Sequence, residues 1–240
     1  MIYNRLAVLL LSAGMLLSNA GDYSRKLPVF SVETPEKVVA LTFNAAWTDG
    51  DTAVILDILD EHGIKASFFL CGMWLKKYPD LLRRIYESGH DVGSHGDKHA
   101  HVASLSFDNN VKEITGAHEK VKDTLGIDMS LYRGPYGEYS ETVLKAAASL
   151  GYTMVQWDVD SLDWKNMGEK DILDRVLNHK NLRNGSILLF HTDAKHTASV
   201  LERVIAGLKD RGYGFAPVSQ LMYKNNYRID VQGRQHPAGP

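Results

Sequence analysis

The sequence predicts an α/β fold, a single-domain (β/α) barrel of about seven parallel strands. Three observations carry that expectation. Short apolar runs alternate with amphipathic segments along most of the chain, the pattern of a parallel sheet covered by helices. The alternation repeats about seven times over some 180 residues, too few for an eightfold barrel. A glycine follows several of the helical segments, and no linker-like stretch interrupts the series.

The elements follow in order. Val38 to Phe43 reads as a buried strand, and Asp51 to His62 as a helix with Ile55, Ile58 and Leu59 on one face, stopped by Gly63. Ala66 to Leu70 is the second strand, and Pro79 to Ser88 the next helix, stopped by Gly89. His90 to Gly93 is a short third strand, followed by a helix from Phe107 to Leu125 that Gly126 ends. A fourth strand near Ser130 to Tyr132 runs into a Gly-Pro turn, after which Ser140 caps a helix reaching Leu150. Tyr152 to Trp157 and Ser186 to Phe190 are the fifth and sixth strands, with the helix Asp171 to His179 between them. Ser199 to Arg211 and Tyr213 to Val218 close the series.

Composition narrows the function. With 44% hydrophobic residues and a net charge of −2, the chain is neither a disordered segment nor a basic nucleic-acid binder. One cysteine, Cys71, excludes an internal disulfide and a cysteine-based zinc cluster, whereas ten histidines leave room for a histidine-based metal site. Residues 1–20 read as a signal peptide: Arg5, an apolar run from Leu6 to Ser18, and the small-x-small site Ser18-Asn19-Ala20. The alternative is an uncleaved anchor. An export signal places the protein in the secreted or cell-envelope fraction. Residues 21–37 are expected as an extended leader, 38–222 as the domain and 223–240 as a tail.

Barrels of this kind carry their chemistry on loops after the strands. Asn44, His95, His99, Arg133, Asp160, Asp163 and His191 all fall at such places. His95 and His99, four residues apart, would share a face of a helical turn and could share a metal; solvated surface histidines explain that spacing equally well. Arg133 and Tyr136 lie in a rigid Gly-Pro turn. Asp160, Asp163 and Trp164 pair carboxylates with an aromatic ring suited to gripping a sugar, although Asp163 could merely cap a helix. His191 directly follows a buried strand, where its pKa can be tuned.

Taken together these segments resemble the NodB-homology polysaccharide deacetylases, carbohydrate esterase family 4. The resemblance spans about Val38 to Val218 in the family's order and is closest to exported deacetylases of endospore-forming Gram-positive bacteria. It rests on His95-x-x-x-His99, Arg133-x-Pro135-Tyr136, Asp160-Ser161-x-Asp163-Trp164 and Leu189-x-His191. It implies a distorted (β/α) barrel that removes N-acetyl groups from chitin-like or cell-wall glycans with a divalent metal, expected to be Zn²⁺, on His95 and His99. His191 would be the general acid, Arg133 would orient the base and Asp163 would steer its charged neighbours. The Tyr136 amide would hold the oxyanion, Leu189 would line the acetyl pocket and Trp164 would wall the cleft. A glycan is the expected partner, with no nucleic acid and no span after signal cleavage, and the chain is expected to be a monomer.

One motif departs. Where the family reads Thr-Phe-Asp-Asp-Gly, this chain reads Thr42-Phe43-Asn44-Ala45-Ala46. The family's first Asp is its base and its second a metal ligand; Asn44 can orient water but takes no proton, and Ala45 offers no donor. Asp49 and Asp51 are candidate substitutes, Asp51 equally a helix cap, and Asp97 and His101 lie within the second motif. The sequence therefore predicts a metal-dependent de-N-acetylase. The alternatives are a non-catalytic glycan-binding homologue and an exported esterase for O-acetyl groups.

Overall fold

The computed structural model describes residues 27–238; the expected signal peptide, residues 1–20, lies outside them. A short strand β1 (Ser31–Val32) precedes β2 (Val38–Ala45), α1 (Thr52–Glu61), β3 (Ser67–Leu70), α2 (Gly72–Lys77) and α3 (Pro79–Glu87). There follow β4 (Asp91–Ser94), α4 (Phe107–Leu125), β5 (Leu131–Tyr132), α5 (Glu141–Ser149), β6 (Thr153–Met154), β7 (Val159–Asp160) and α6 (Glu169–Leu177). The chain ends with β8 (Ile187–His191), α7 (Thr197–Asp210), β9 (Gly214–Phe215), α8 (Val218–Leu221), β10 (Tyr227–Ile229) and β11 (Arg234–Pro237).

Seven strands form one curled parallel sheet in the order β6-β5-β4-β3-β2-β8-β7, with β9 paired to the start of β2. This is the distorted (β/α) barrel. Its gap lies between β6 and β7, which are consecutive in sequence yet occupy opposite edges. The stretch expected as one strand, Tyr152 to Trp157, therefore ends after Met154, and the chain crosses the gap before β7 begins. The helix α2 between Leu70 and Pro79 is an addition to the expected order.

Strand alternation sorts β2 between two interiors. Val39, Leu41, Phe43 and Ala45 belong to the large cluster between sheet and helices, with Ile55 and Leu59 of α1 and Val204 of α7. Ala40 belongs to a second cluster that includes Phe69, Leu131, Val155 and Ile187 and fills the barrel's lower end. Burial of large aliphatic and aromatic side chains, about 1.5–3 kcal/mol each, supplies most of the cohesion.

The segments expected as leader and tail build part of this interior. Val29 and Val32 are fully buried in the second cluster. Val29 donates to the Met154 carbonyl and accepts from Gln156, at 2.9 and 2.7 Å, so it borders the barrel gap. β1, β11 and β10 form a three-stranded sheet of their own. Caps fall where expected: the Ser140 hydroxyl accepts from the Val143 amide at the start of α5, and Gly126 ends α4 in the left-handed conformation.

Candidate active site

A cleft of about 620 Å³ opens where the strands end, lined by Asn44, His95, His99, Tyr136, Leu189 and His191 together with Trp47, Trp164 and Asp193. It brings together most of the expected residues. Arg133 and Asp163 are fully buried and act from behind the surface.

The residues of β2 with even numbers face inward, so Thr42 and Asn44 meet Arg133. The guanidinium Nη1 donates to Thr42 Oγ1 at 2.9 Å and to Asn44 Oδ1 at 3.0 Å. Its Nη2 donates to the Gln156 carbonyl and its Nε to that of Val155. The plane lies 3.9 Å above the Phe69 ring, a cation–π contact. Each of these acceptors is neutral. Desolvation brings Arg133 down to about 9, against the opposing charge of Asp160, and among the described residues no carboxylate forms an ion pair with it. With Oδ1 turned to Arg133, Asn44 presents its NH₂ to the cleft. That group donates; it takes no proton.

His95 and His99 follow β4 on an irregular turn rather than a helical one. Gly96 and His99 have φ of 76° and 55°. The rings still approach, with centroids 5.1 Å apart. His95 Nδ1 donates to the Arg133 carbonyl at 2.8 Å, which fixes the tautomer and leaves the Nε2 lone pair free. His99 Nδ1 is buried without a partner. Burial holds both imidazoles below their ordinary pKa, His95 strongly, so both are neutral donors at physiological pH. His99 also lies against two exposed aromatic rings, Trp47 at 5.0 Å and Tyr136 at 4.6 Å.

Neutral imidazoles with free lone pairs fit a divalent ion as two ligands. A third is not assembled: among the described residues no group of three His, Cys, Asp or Glu comes together. Ala45 is fully buried in the outer cluster and does not line the cleft. Asp49 borders a separate groove with Lys77 and Tyr78, and Asp51 precedes α1 with no side-chain cap bond. Neither candidate substitute reaches the cleft. Asp97 is turned away and pairs with Lys120, and His101 stacks on Tyr136 with its Nδ1 on Glu138.

The opposite wall is complete. His191 Nδ1 lies 2.8 Å from Asp163 Oδ1, so the ring donates there and keeps Nε2 for the cleft. Asp163 also accepts from the amides of His191 and Trp164 and from the Thr197 hydroxyl, at 2.7, 2.8 and 2.6 Å. Four donors satisfy one buried carboxylate, which is more than a helix cap requires. Asp160 accepts from Trp157 Nε1 and from the Leu162 amide, bracing the Trp157 ring that lines the cleft. Tyr136 has φ of 60°, a left-handed backbone at the rigid Gly-Pro turn. Thr197, Trp47 and Asp193 were not legible as site residues; Thr197 lies at the start of a helix, and the other two sit in loops without a periodic signal.

The profile of the family described as "Polysaccharide deacetylase" matches residues 31–155. The chain is 34% identical over 200 residues to the peptidoglycan-N-acetylmuramic acid deacetylase PdaA of Bacillus subtilis, covering 82% of this chain and 75% of that one. It is 32% identical over 206 residues to a peptidoglycan-N-acetylglucosamine deacetylase of Bacillus cereus, covering 82% and 93%. Among solved structures it is similar to BA3943 of Bacillus anthracis, described as a CE4 family pseudoenzyme. The TM-score is 0.78 at 28% identity, over 88% of this chain and 73% of that one. A BA3943 mutant described as having restored enzymatic activity superposes with a TM-score of 0.77 at 28% identity, over 81% of this chain and 71% of that one.

Proposed function

The chain belongs to the polysaccharide deacetylase family, carbohydrate esterase family 4, and from that premise we propose that it removes N-acetyl groups from an amino-sugar glycan of the cell wall. The observation that carries this reading is the His191–Asp163 pair on the cleft wall. A surface that only binds sugar needs no buried carboxylate holding an imidazole in one tautomer. A hydrolase does, because the departing amine must receive a proton.

The residues divide the work. The exposed rings of Trp164 and Tyr136 flank the sugar, and Leu189 gives the acetyl methyl an apolar seat. The Tyr136 amide, presented by its left-handed backbone, donates to the oxygen that becomes negative during attack. Asn44, held by Arg133, directs its NH₂ at the attacking water. In its imidazolium form, with Nδ1–H on Asp163, His191 hands its Nε2 proton to the leaving nitrogen and returns to the neutral ring. A divalent ion, Zn²⁺ foremost, held by His95 and His99 would acidify that water and polarise the acetyl carbonyl. With no carboxylate at position 44, the attacking water's proton passes to solvent water, and a missing general base costs typically 10²–10⁴-fold. The expected enzyme is therefore slow.

Asn44 also supports a second reading, a glycan-binding homologue without turnover, in keeping with the likeness to a pseudoenzyme. Acetate release from peptidoglycan and chitin oligomers, with and without added Zn²⁺, separates the two. Release that depends on His191 supports the deacetylase; binding without any release supports the homologue. The expected export signal and the relatives' peptidoglycan substrates support action at the cell envelope.

A further inference from the structure

We propose that Glu113, on α4 behind the cleft, is the positioning residue for the two imidazoles. Its carboxylate fixes the turn that carries His95 at one end and His99 at the other. The inference rests on the reading of those two residues as a metal-holding pair.

Glu113 is 8% exposed, and one of its oxygens, Oε2, accepts from the amides of both Asp97 and Lys98, at 3.0 and 2.9 Å. Such a carboxylate is costly to bury and is retained where charge-assisted bonds to fixed donors repay it. The donors here are the two middle amides of the turn. No lysine or arginine forms an ion pair with Glu113 among the described residues; the nearby Lys120 goes to Asp97 Oδ1, at 2.7 Å.

The rest of this face of α4 is shaped to the same turn. Residues 113, 116 and 120 lie one and two turns apart along one side of the helix. Gly116 lets α4 approach: a methyl there would stand 2.8 Å from Asp97 Cγ. Lys120 then clamps Asp97 from the next turn and also donates to the Gly116 carbonyl. Opposite, the amides of Gly72 and Met73, at the start of α2, donate to the carbonyls of Gly96 and Asp97. The turn is thereby held from two sides while its backbone passes through left-handed conformations at Gly96 and His99. A non-glycine residue is uncommon in that conformation, although histidine is found there more often than most, so the ring direction of His99 depends on the scaffold around it.

The test is zinc calorimetry on the full chain, with circular dichroism to confirm folding. The double variant His95→Ala, His99→Ala serves as the baseline. Glu113→Ala should weaken zinc binding about 10-fold or more, the scale on which supporting residues act at metal sites. Glu113→Gln should stay within about threefold, because one amide oxygen can accept both bonds that Oε2 now accepts. Lys120→Met, which leaves the carboxylate in place, should also weaken binding, by less than Glu113→Ala. Zinc affinity in Glu113→Ala equal to the wild type overturns the proposal. So does an equal loss in the Gln and Ala variants, which would mean a role for charge rather than position. If Glu113→Ala does not fold, Glu113→Asp decides it: the shorter side chain keeps the charge but withdraws the acceptor from the Asp97 and Lys98 amides, so wild-type zinc affinity in that variant overturns the proposal. A wild type that takes up no zinc overturns the metal-holding reading instead. The imidazole NMR signals then decide for Glu113: doubled or broadened His99 signals in Glu113→Ala uphold positioning, and unchanged ones overturn it.

Discussion

Asn44 and Arg133 define the site at the scale of single residues. The guanidinium has already lost its water and meets only neutral oxygens, so a carboxylate at position 44 would find a cation prepared for it. Asn44→Asp should raise acetate release by up to about 10²-fold, because it puts a proton acceptor at the position where the family carries its base. Its melting temperature should not fall at neutral pH, since the new charge pairs with Arg133. Wild-type turnover that is fast and indifferent to the substitution would make another group the base, with Asp193 on the cleft rim the first to test. Ala45→Asp is a different case: that side chain packs in the outer cluster, and a carboxylate there is expected to lower stability without reaching the cleft. Most of this site was legible because its residues stand at strand ends in ordered motifs. Glu113, Thr197 and Gly116 were not, because each sits within a helical pattern where its type reads as surface polarity or as a mere interruption. Their roles depend on which loop the helix happens to cover.

At the scale of elements, two titrating groups tie strand ends together and pull in opposite directions. His90, before β4, accepts the Ala66 amide on Nδ1 at 3.1 Å, and its buried Nε2 has no partner. Burial lowers it to about 4. Asp158, before β7, accepts the Ile187 amide at 2.9 Å, and burial raises it to about 6. Between pH 6.5 and 4 the unfolded chain binds the proton that folded His90 refuses, so this residue costs stability as pH falls. Over nearly the same window folded Asp158 binds a proton the unfolded chain lacks, so it adds stability as pH falls. Each effect amounts to roughly 3 kcal/mol, and the two should largely cancel. Relative to the wild type, His90→Asn should lose less stability between pH 7 and pH 4.5, and Asp158→Asn should lose more. Urea melts at pH 7 and pH 4.5 check both; parallel pH dependence in the two variants would refute the assignment. The strands these groups anchor were legible from apolar runs. The division between β6 and β7 was not, because closing a curled sheet across its gap is a long-range event with no local signature. The helix α2, only six residues long, is too short to show a period.

At the scale of the whole molecule, the barrel is stacked in layers that begin at its termini. Val29, Val32, Leu221 and Ile229 close the lower end; Phe69 and Leu131 lie above them; Arg133 rests on Phe69; Asn44 and His95 rest on Arg133 and open to the cleft. If that order is mechanical, the small sheet of β1, β10 and β11 belongs to the cooperative unit rather than hanging from it. Glycine pairs allow a clean test. Gly63 and Gly233 both have left-handed backbones, with φ of 63° and 78°, so alanine pays a similar conformational penalty at each, roughly 1–3 kcal/mol. They differ in surroundings. A methyl at Gly63 meets nothing within 4 Å, whereas one at Gly233 would stand 2.2 Å from the Phe30 ring and 3.0 Å from the Pro28 carbonyl. Gly233→Ala must therefore displace the Phe30 ring, which packs on the turn between β10 and β11, and crowd the Pro28 carbonyl. The expected outcome is a larger fall in melting temperature for Gly233→Ala than for Gly63→Ala, in one cooperative transition. Hydrogen exchange should also quicken at Val29 and Gln156, whose amides border the barrel gap. Equal losses in the two variants, or a separate early transition confined to β1, β10 and β11, would show that the lower layer is an appendage and that the cleft is supported without it.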